Sequence, residues 1–118
     1  VQNNVLYISD SGNHRIVAYY ILNDGSDFKF KCIYGNGYGG EMGMLSYPLE
    51  CCADANSVLC VRDHHNNRVQ LFNNEGVAFH SIEVNSNREI IYSMTMSENG
   101  DIYVAKMVSY QSEGDEGG

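Results

Sequence analysis

The side chains here that could do chemistry are imidazoles, thiols and a recurring carboxylate–guanidinium set. His64 and His65 are adjacent, and His14 falls in the equivalent turn one repeat earlier. Imidazoles bind metals or titrate near neutrality. Neighbouring side chains diverge, however, so the pair reads as exposed turn histidines, and a rim site would need His14 to join them. Cys51 and Cys60 face each other if Ala55-Asn56 is a two-residue turn, but opposed strand positions suit a disulfide poorly. Free, buried thiols are therefore expected, and vicinal Cys51-Cys52 would close a strained ring on oxidation. The four cysteines contain no C-x-x-C and no zinc-ligand spacing, so they assign no redox compartment. Gly35-x-Gly37-x-x-Gly40 has the glycines of a dinucleotide loop, yet Gly43 and Pro48 break the helix that such a loop must enter. A flexible connection is expected instead. There is no Gly-x-Ser-x-Gly, no His-Glu-x-x-His and no evident carboxylate pair. No catalytic residue, metal ligand or cofactor is expected within these 118 residues.

The elements that position these groups emerge from repetition. Leu6-x-Ile8-x-Asp10-x-x-Asn13-x-Arg15-Ile16 recurs 53 residues later as Leu59-x-Val61-x-Asp63-x-x-Asn66-x-Arg68-Val69. A weaker third copy, Ile102-Tyr103-Val104-Ala105-Lys106, follows 43 residues on, with Lys106 in place of the aspartate. Residues 51–61 also align without a gap on 94–104, placing Asn99-Gly100 as a hairpin turn in which both residues tolerate positive φ. Short runs rich in Val, Ile, Tyr and Phe predict strands at 5–9, 15–20, 28–34, 49–53, 58–62, 68–73, 78–84, 90–97 and 101–106. No stretch sustains helical periodicity, so the chain reads as all-β. Strands 49–53, 58–62, 68–73 and 78–84 form a four-stranded antiparallel meander. A four-stranded unit at a period of about 40–50 residues is the arithmetic of a propeller blade.

Composition narrows the partners. A chain of 118 residues holds one domain, and 43% hydrophobic residues argue against wholesale disorder. Seven basic against fifteen acidic residues give a net charge of −8, and the basic residues are scattered. Nucleic acid, which requires a basic patch, is disfavoured. No apolar run reaches the ~18–20 residues of a membrane-spanning helix. Residues 109–118 read as an acidic, Gly-rich tail or connection.

The Asp10–Ile16 and Asp63–Phe72 stretches resemble the Asp-x-x-Asn-x-Arg-(Ile/Val)-Gln-Val-Phe core of NHL repeats. The Gly-rich run 35–47, leading to Pro48, resembles that family's connection between blades. The likeness covers roughly residues 5–106 and implies a partial NHL-type β-propeller of four-stranded antiparallel blades. Within a segment 1–108, blade 1 would be incomplete (5–34), blade 2 whole (49–84) and blade 3 incomplete (90–106). That amounts to a fragment of the family's usual six-bladed ring, completed by the remaining blades or by assembly with other chains.

In that setting Asp10, Asn13, Arg15, Asp63, Asn66 and Arg68 hold the fold. The carboxylates accept backbone N–H groups, the asparagines take left-handed turn positions, and the arginines reach back to the aspartates. His14, Tyr38, Tyr47, His64 and His65 are the candidate contacts for a partner, whereas Tyr19, Tyr20 and Tyr34 lie on strands and read as packing. The resemblance implies a non-enzymatic protein-interaction or scaffold module. One alternative is a metal-dependent peptidyl-hydroxyglycine lyase-like fragment, although the inner-strand runs 49–53 and 90–97 carry no histidine. Another is an RNA-binding propeller of the tripartite-motif type, which the acidic balance disfavours.

Overall fold

The computed structural model describes residues 4–84 and 88–109. Nine strands carry the chain: β1 (Asn4–Asp10), β2 (Arg15–Leu22), β3 (Asp27–Tyr34), β4 (Pro48–Ala53), β5 (Leu59–Asp63), β6 (Arg68–Phe72), β7 (Ala78–Glu83), β8 (Glu89–Met96) and β9 (Ile102–Val108). All lie within two residues of the stretches expected from sequence. They form three antiparallel sheets, ordered β1-β2-β3, β4-β5-β6-β7 and β8-β9.

The sheets pack face to face, because alternation along the strands of the middle sheet sends apolar side chains to both of its sides. Ile16, Ala18 and Tyr34 of the first sheet meet Leu59, Val61 and Phe72 of the second in a fully buried cluster, which Leu45 of the connecting loop completes. Cys60 and Val69, on the opposite side of the second sheet, meet Ile91 and Met94 of the third. The middle sheet is thus covered on both faces, and four of the five β5 residues are wholly enclosed.

Hairpin chemistry corrects two expectations. The β4–β5 turn is Asp54-Ala55-Asn56-Ser57, with Ser57 left-handed at φ 64° and its N–H donating to Asp54 O at 3.1 Å. This is one residue more than a two-residue turn needs, so the register slips. Cys60 stands opposite Cys52, while Cys51 faces Val61. All four cysteines are free, but only Cys60 is buried. Asn99-Gly100 is likewise not a pair of left-handed residues, because Gly100 alone has positive φ, at 89°.

The Asn73–Gly76 and Ser97–Gly100 turns share this build, each closed by an N–H of its fourth residue on the carbonyl of its first. In all three turns the first side chain caps the loop. Asp54 Oδ1 accepts the N–H groups of Asn56 and Val58, Asn73 Oδ1 those of Glu75 and Val77, and Ser97 Oγ that of Asp101. Such caps exploit the tendency of Asx and Ser side chains to bond the backbone just ahead. The expected acidic tail at 109–118 falls, apart from Ser109, outside the described residues.

Candidate functional site: two corners and a row of rings

Asp63 ends β5, a single 3₁₀ turn (His64–Asn66) follows, and Arg68 begins β6 directly across from Asp63. Asp10, the turn Ser11–Asn13 and Arg15 repeat this arrangement between β1 and β2. At each corner the guanidinium Nε donates to the carboxylate Oδ2, at 2.7 Å for Arg68 and 2.8 Å for Arg15. The left-handed residues are Asn67 (φ 51°) and His14 (φ 57°), not the expected Asn66 and Asn13. The two asparagines sit one place earlier because their side chains have other work. Asn66 Nδ2 donates to Asp63 Oδ2 at 2.8 Å, and Asn13 Nδ2 to both Asp10 oxygens at 3.1 and 3.2 Å. These bonds from Arg15, and next from Asn13, hold the Asp10 carboxyl below the usual carboxylate range.

The corners differ in what covers them. The Gly-rich segment 35–47 lies over the second. Arg68 donates to Gly40 O, Glu41 O and Met44 O at 2.8–3.0 Å, and Asn66 Nδ2 also reaches Gly39 O at 2.8 Å. Ser46 N–H donates to Asp63 Oδ1 at 2.7 Å. Gln70 grips the same loop from both ends of its amide, accepting Gly43 N–H at 2.9 Å and donating to Met44 O at 2.7 Å. The expected flexible connection is therefore a clamped one. It is also tightened internally by Leu45 N–H on Gly37 O and Asn36 N–H on Gly43 O. Gly35 is required here, since its φ is +114° and a Cβ would stand 3.0 Å from Leu45 Cδ1. The consequence for exposure is large: Asp63 and Arg68 side chains are 0% and 4% accessible, Asp10 and Arg15 30% and 42%.

All five ring residues expected to meet a partner come together beside these corners. His14 and Tyr38 have ring centroids 4.5 Å apart, and Tyr47 stacks on His65 at 5.1 Å with planes 16° apart. His64 and His65 are 5.0 Å apart, so the adjacent imidazoles do not diverge as expected. Tyr47 N–H donates to His14 Nδ1 at 2.9 Å, which joins the two halves of the row. Tyr47 itself is left-handed (φ 54°), a conformation that a bulky residue adopts only when neighbours impose it. Tyr38 is 70% exposed. The row thus runs across two sheets and the loop between them. Among the described residues no group of three or more His, Cys, Asp or Glu could hold a metal ion.

Behind the row lies Arg62, which the scattered basic residues of the sequence gave no reason to single out. It is buried, donating to Glu50 Oε1 at 2.6 Å and to Ile91 O at 2.8 Å, which ties the second sheet to the third. Partial burial works against ionisation of Glu50. The hydrogen bond from Arg62, then a backbone hydrogen bond at Glu50 itself and the Arg62 charge, with smaller help from Ser93, outweigh it and leave the carboxyl below its ordinary range. His64 is pushed the other way. Burial, then the nearby Arg62 and His65, lower its pKa, against a weaker opposing pull from Glu50. Gln70 was also missed, and its signal was available: a polar amide stands at an interior strand position where the first copy has Val17.

No family model matches the chain, and no curated protein matches it.

Proposed function

We propose that the chain is an interaction module built as part of an NHL-type β-propeller, engaging a protein partner through the rings at its rim rather than carrying out catalysis. The observation that carries this reading is the convergence of His14, Tyr38, Tyr47, His64 and His65, from two sheets and one loop, into one row in which Tyr38, Tyr47 and His65 are exposed and the other two half-buried. Rigid rings at a surface supply large contact area at little entropic cost, as protein-binding anchors do. The propeller reading draws on the face-to-face packing of successive antiparallel sheets and on the matching Asp-x-x-Asn-x-Arg corners. The acidic charge of −8 weighs against an RNA partner.

The test is a photo-cross-linking side chain placed at Tyr38, with an exposed sheet position such as Phe79 as the control. Covalent capture of one protein at position 38, lost when Tyr47 and His65 are both changed to alanine, supports the reading. Equal capture at the two positions refutes it.

A further inference from the structure

His14 and Asn67 hold the same place in the two corners, 53 residues apart. Each is left-handed and closes its 3₁₀ turn, the N–H of His14 donating to Ser11 O at 3.0 Å and that of Asn67 to His64 O at 3.1 Å. Each side chain also reaches the start of the next sheet. Asn67 Oδ1 accepts the Ile91 N–H at 2.8 Å, and its Nδ2 donates to Glu89 O at 2.8 Å. His14 Nδ1 accepts the N–H of Tyr47, the residue just before β4, at 2.9 Å. An amide oxygen remains an acceptor throughout the range of about pH 5–8 in which an imidazole changes charge. The imidazole does not, because a proton and the Tyr47 N–H compete for one lone pair on Nδ1.

We infer that His14 is an acid-released latch on the row of rings. With Nδ1 unprotonated it holds Tyr47 in place, and a proton there sets a donor against a donor and lets Tyr47 go. Tyr47 stands at φ 54°, which its bulk and the following Pro48 both oppose. Ser46 stays fixed, through its N–H on Asp63 Oδ1 and its carbonyl under the His65 N–H. The rearrangement is therefore confined to Tyr47, which relaxes toward extended backbone and leaves its stack on His65. The loop brings two other titratable groups, Tyr38, whose ring lies 4.5 Å from that of His14, and Glu41, its one carboxylate. The second corner brings His64 and His65, both against the Tyr47 ring. On His14's own corner, Asp10 and Arg15 offset each other as an ion pair. Of all these groups only the two histidines are of a type that titrates in the latch's own range. Where the row serves as a partner surface, proton uptake at His14 takes that surface apart. This consequence rests on the function proposed above, and the latch itself does not.

The test is NMR of the full chain at pH 7.5 and pH 5.5, comparing the parent with His14→Asn, a side chain that tolerates the left-handed backbone and that the second corner already uses. In the parent, His14 should carry its ring proton on Nε2 at pH 7.5. Protection of the Tyr47 amide against hydrogen exchange should then fall at least about tenfold at pH 5.5, with loss of the Tyr47–His65 ring contact. In His14→Asn, with His64 and His65 untouched, that protection should change less than about twofold. A His14 ring protonated on Nδ1 at pH 7.5 overturns the inference. So does equal acid sensitivity in parent and variant, which would place the effect in His64 or His65. Cross-linked capture of a partner from position 38 should weaken in acid for the parent alone. Capture that persists at pH 5.5 while Tyr47 is released overturns the regulation of binding. Absence of capture at both values, with Tyr47 released as stated, supports the latch and counts against the partner surface.

Discussion

Asp63 and Arg68 close their ion pair at 2.7 Å beneath a loop, and Asp10 and Arg15 close the same pair at 2.8 Å in the open. One geometry in two surroundings separates the worth of the pair from the consequences of burying it. Asp63→Ala removes the carboxylate hydrogen-bonded to a buried guanidinium, leaving it only the exposed Glu83 at 3.9 Å, and leaves the Ser46 N–H unpaired. It should cost about 3–5 kcal/mol in urea unfolding. Asp10→Ala should move the midpoint by only a small fraction of that shift, because water screens the exposed pair. Comparable shifts for the two variants would contradict the role assigned to the loop.

Ser57 occupies the left-handed place that glycine fills in the two sister turns, at Gly76 and Gly100. A side chain there carries strain that glycine lacks, partly offset by glycine's greater freedom in the unfolded chain. Ser57→Gly should therefore raise stability by about 0.5–1 kcal/mol. Gly76→Ala should lower it by at least as much, since the added Cβ would also stand 3.1 Å from Ile33 O. Thermal melts of the two variants, moving in opposite directions, are the check.

Acidification should weaken the fold through His64. Its folded-state pKa lies below the ordinary histidine value of 6.5, so the unfolded chain binds the proton first. Stability is full above that value and declines as pH falls from it toward the lower folded-state pKa. Asp10 and Glu50, also lowered, act in a separate window below their ordinary 3.8 and 4.5. Urea midpoints measured between pH 7.5 and pH 5 should fall for the parent and stay flatter for His64→Gln.

Cys60 should be the slowest thiol to react. Burial pushes its pKa up to about 12, and its Sγ lies 3.6 Å from Met94 Sδ inside the second core cluster. Thiolate is the reactive form, so modification waits on opening of the sheets. With a chromogenic disulfide reagent, Cys60 should be labelled at the rate of global unfolding. Prompt labelling in the native protein would show the β5–β8 packing to be loose.

The strands were legible because their runs are short and rich in Val, Ile, Tyr and Phe, and the corners because a carboxylate, an amide and a guanidinium recur at one spacing. Register was not. Whether Ser57 belongs to the turn or to the strand depends on one positive φ, which a serine does not advertise, and that residue decides whether Cys51 or Cys52 faces Cys60. The glycines of 35–47 were read as freedom. In the structure they permit close approach, so that carbonyls reach Arg68 and Gln70 without obstruction. Leu45 was hidden for the same reason, since an apolar residue inside a glycine run shows no period, yet it is fully buried between two sheets. The five rings were visible singly, but their union depends on His14 accepting the Tyr47 N–H, a link across 33 residues of chain.

The clamp on residues 35–47 also has a mechanical meaning. Separating the first sheet from the second means breaking the polar bonds that Asp63, Asn66, Arg68 and Gln70 make to the loop and uncovering the apolar cluster beneath Leu45 as well.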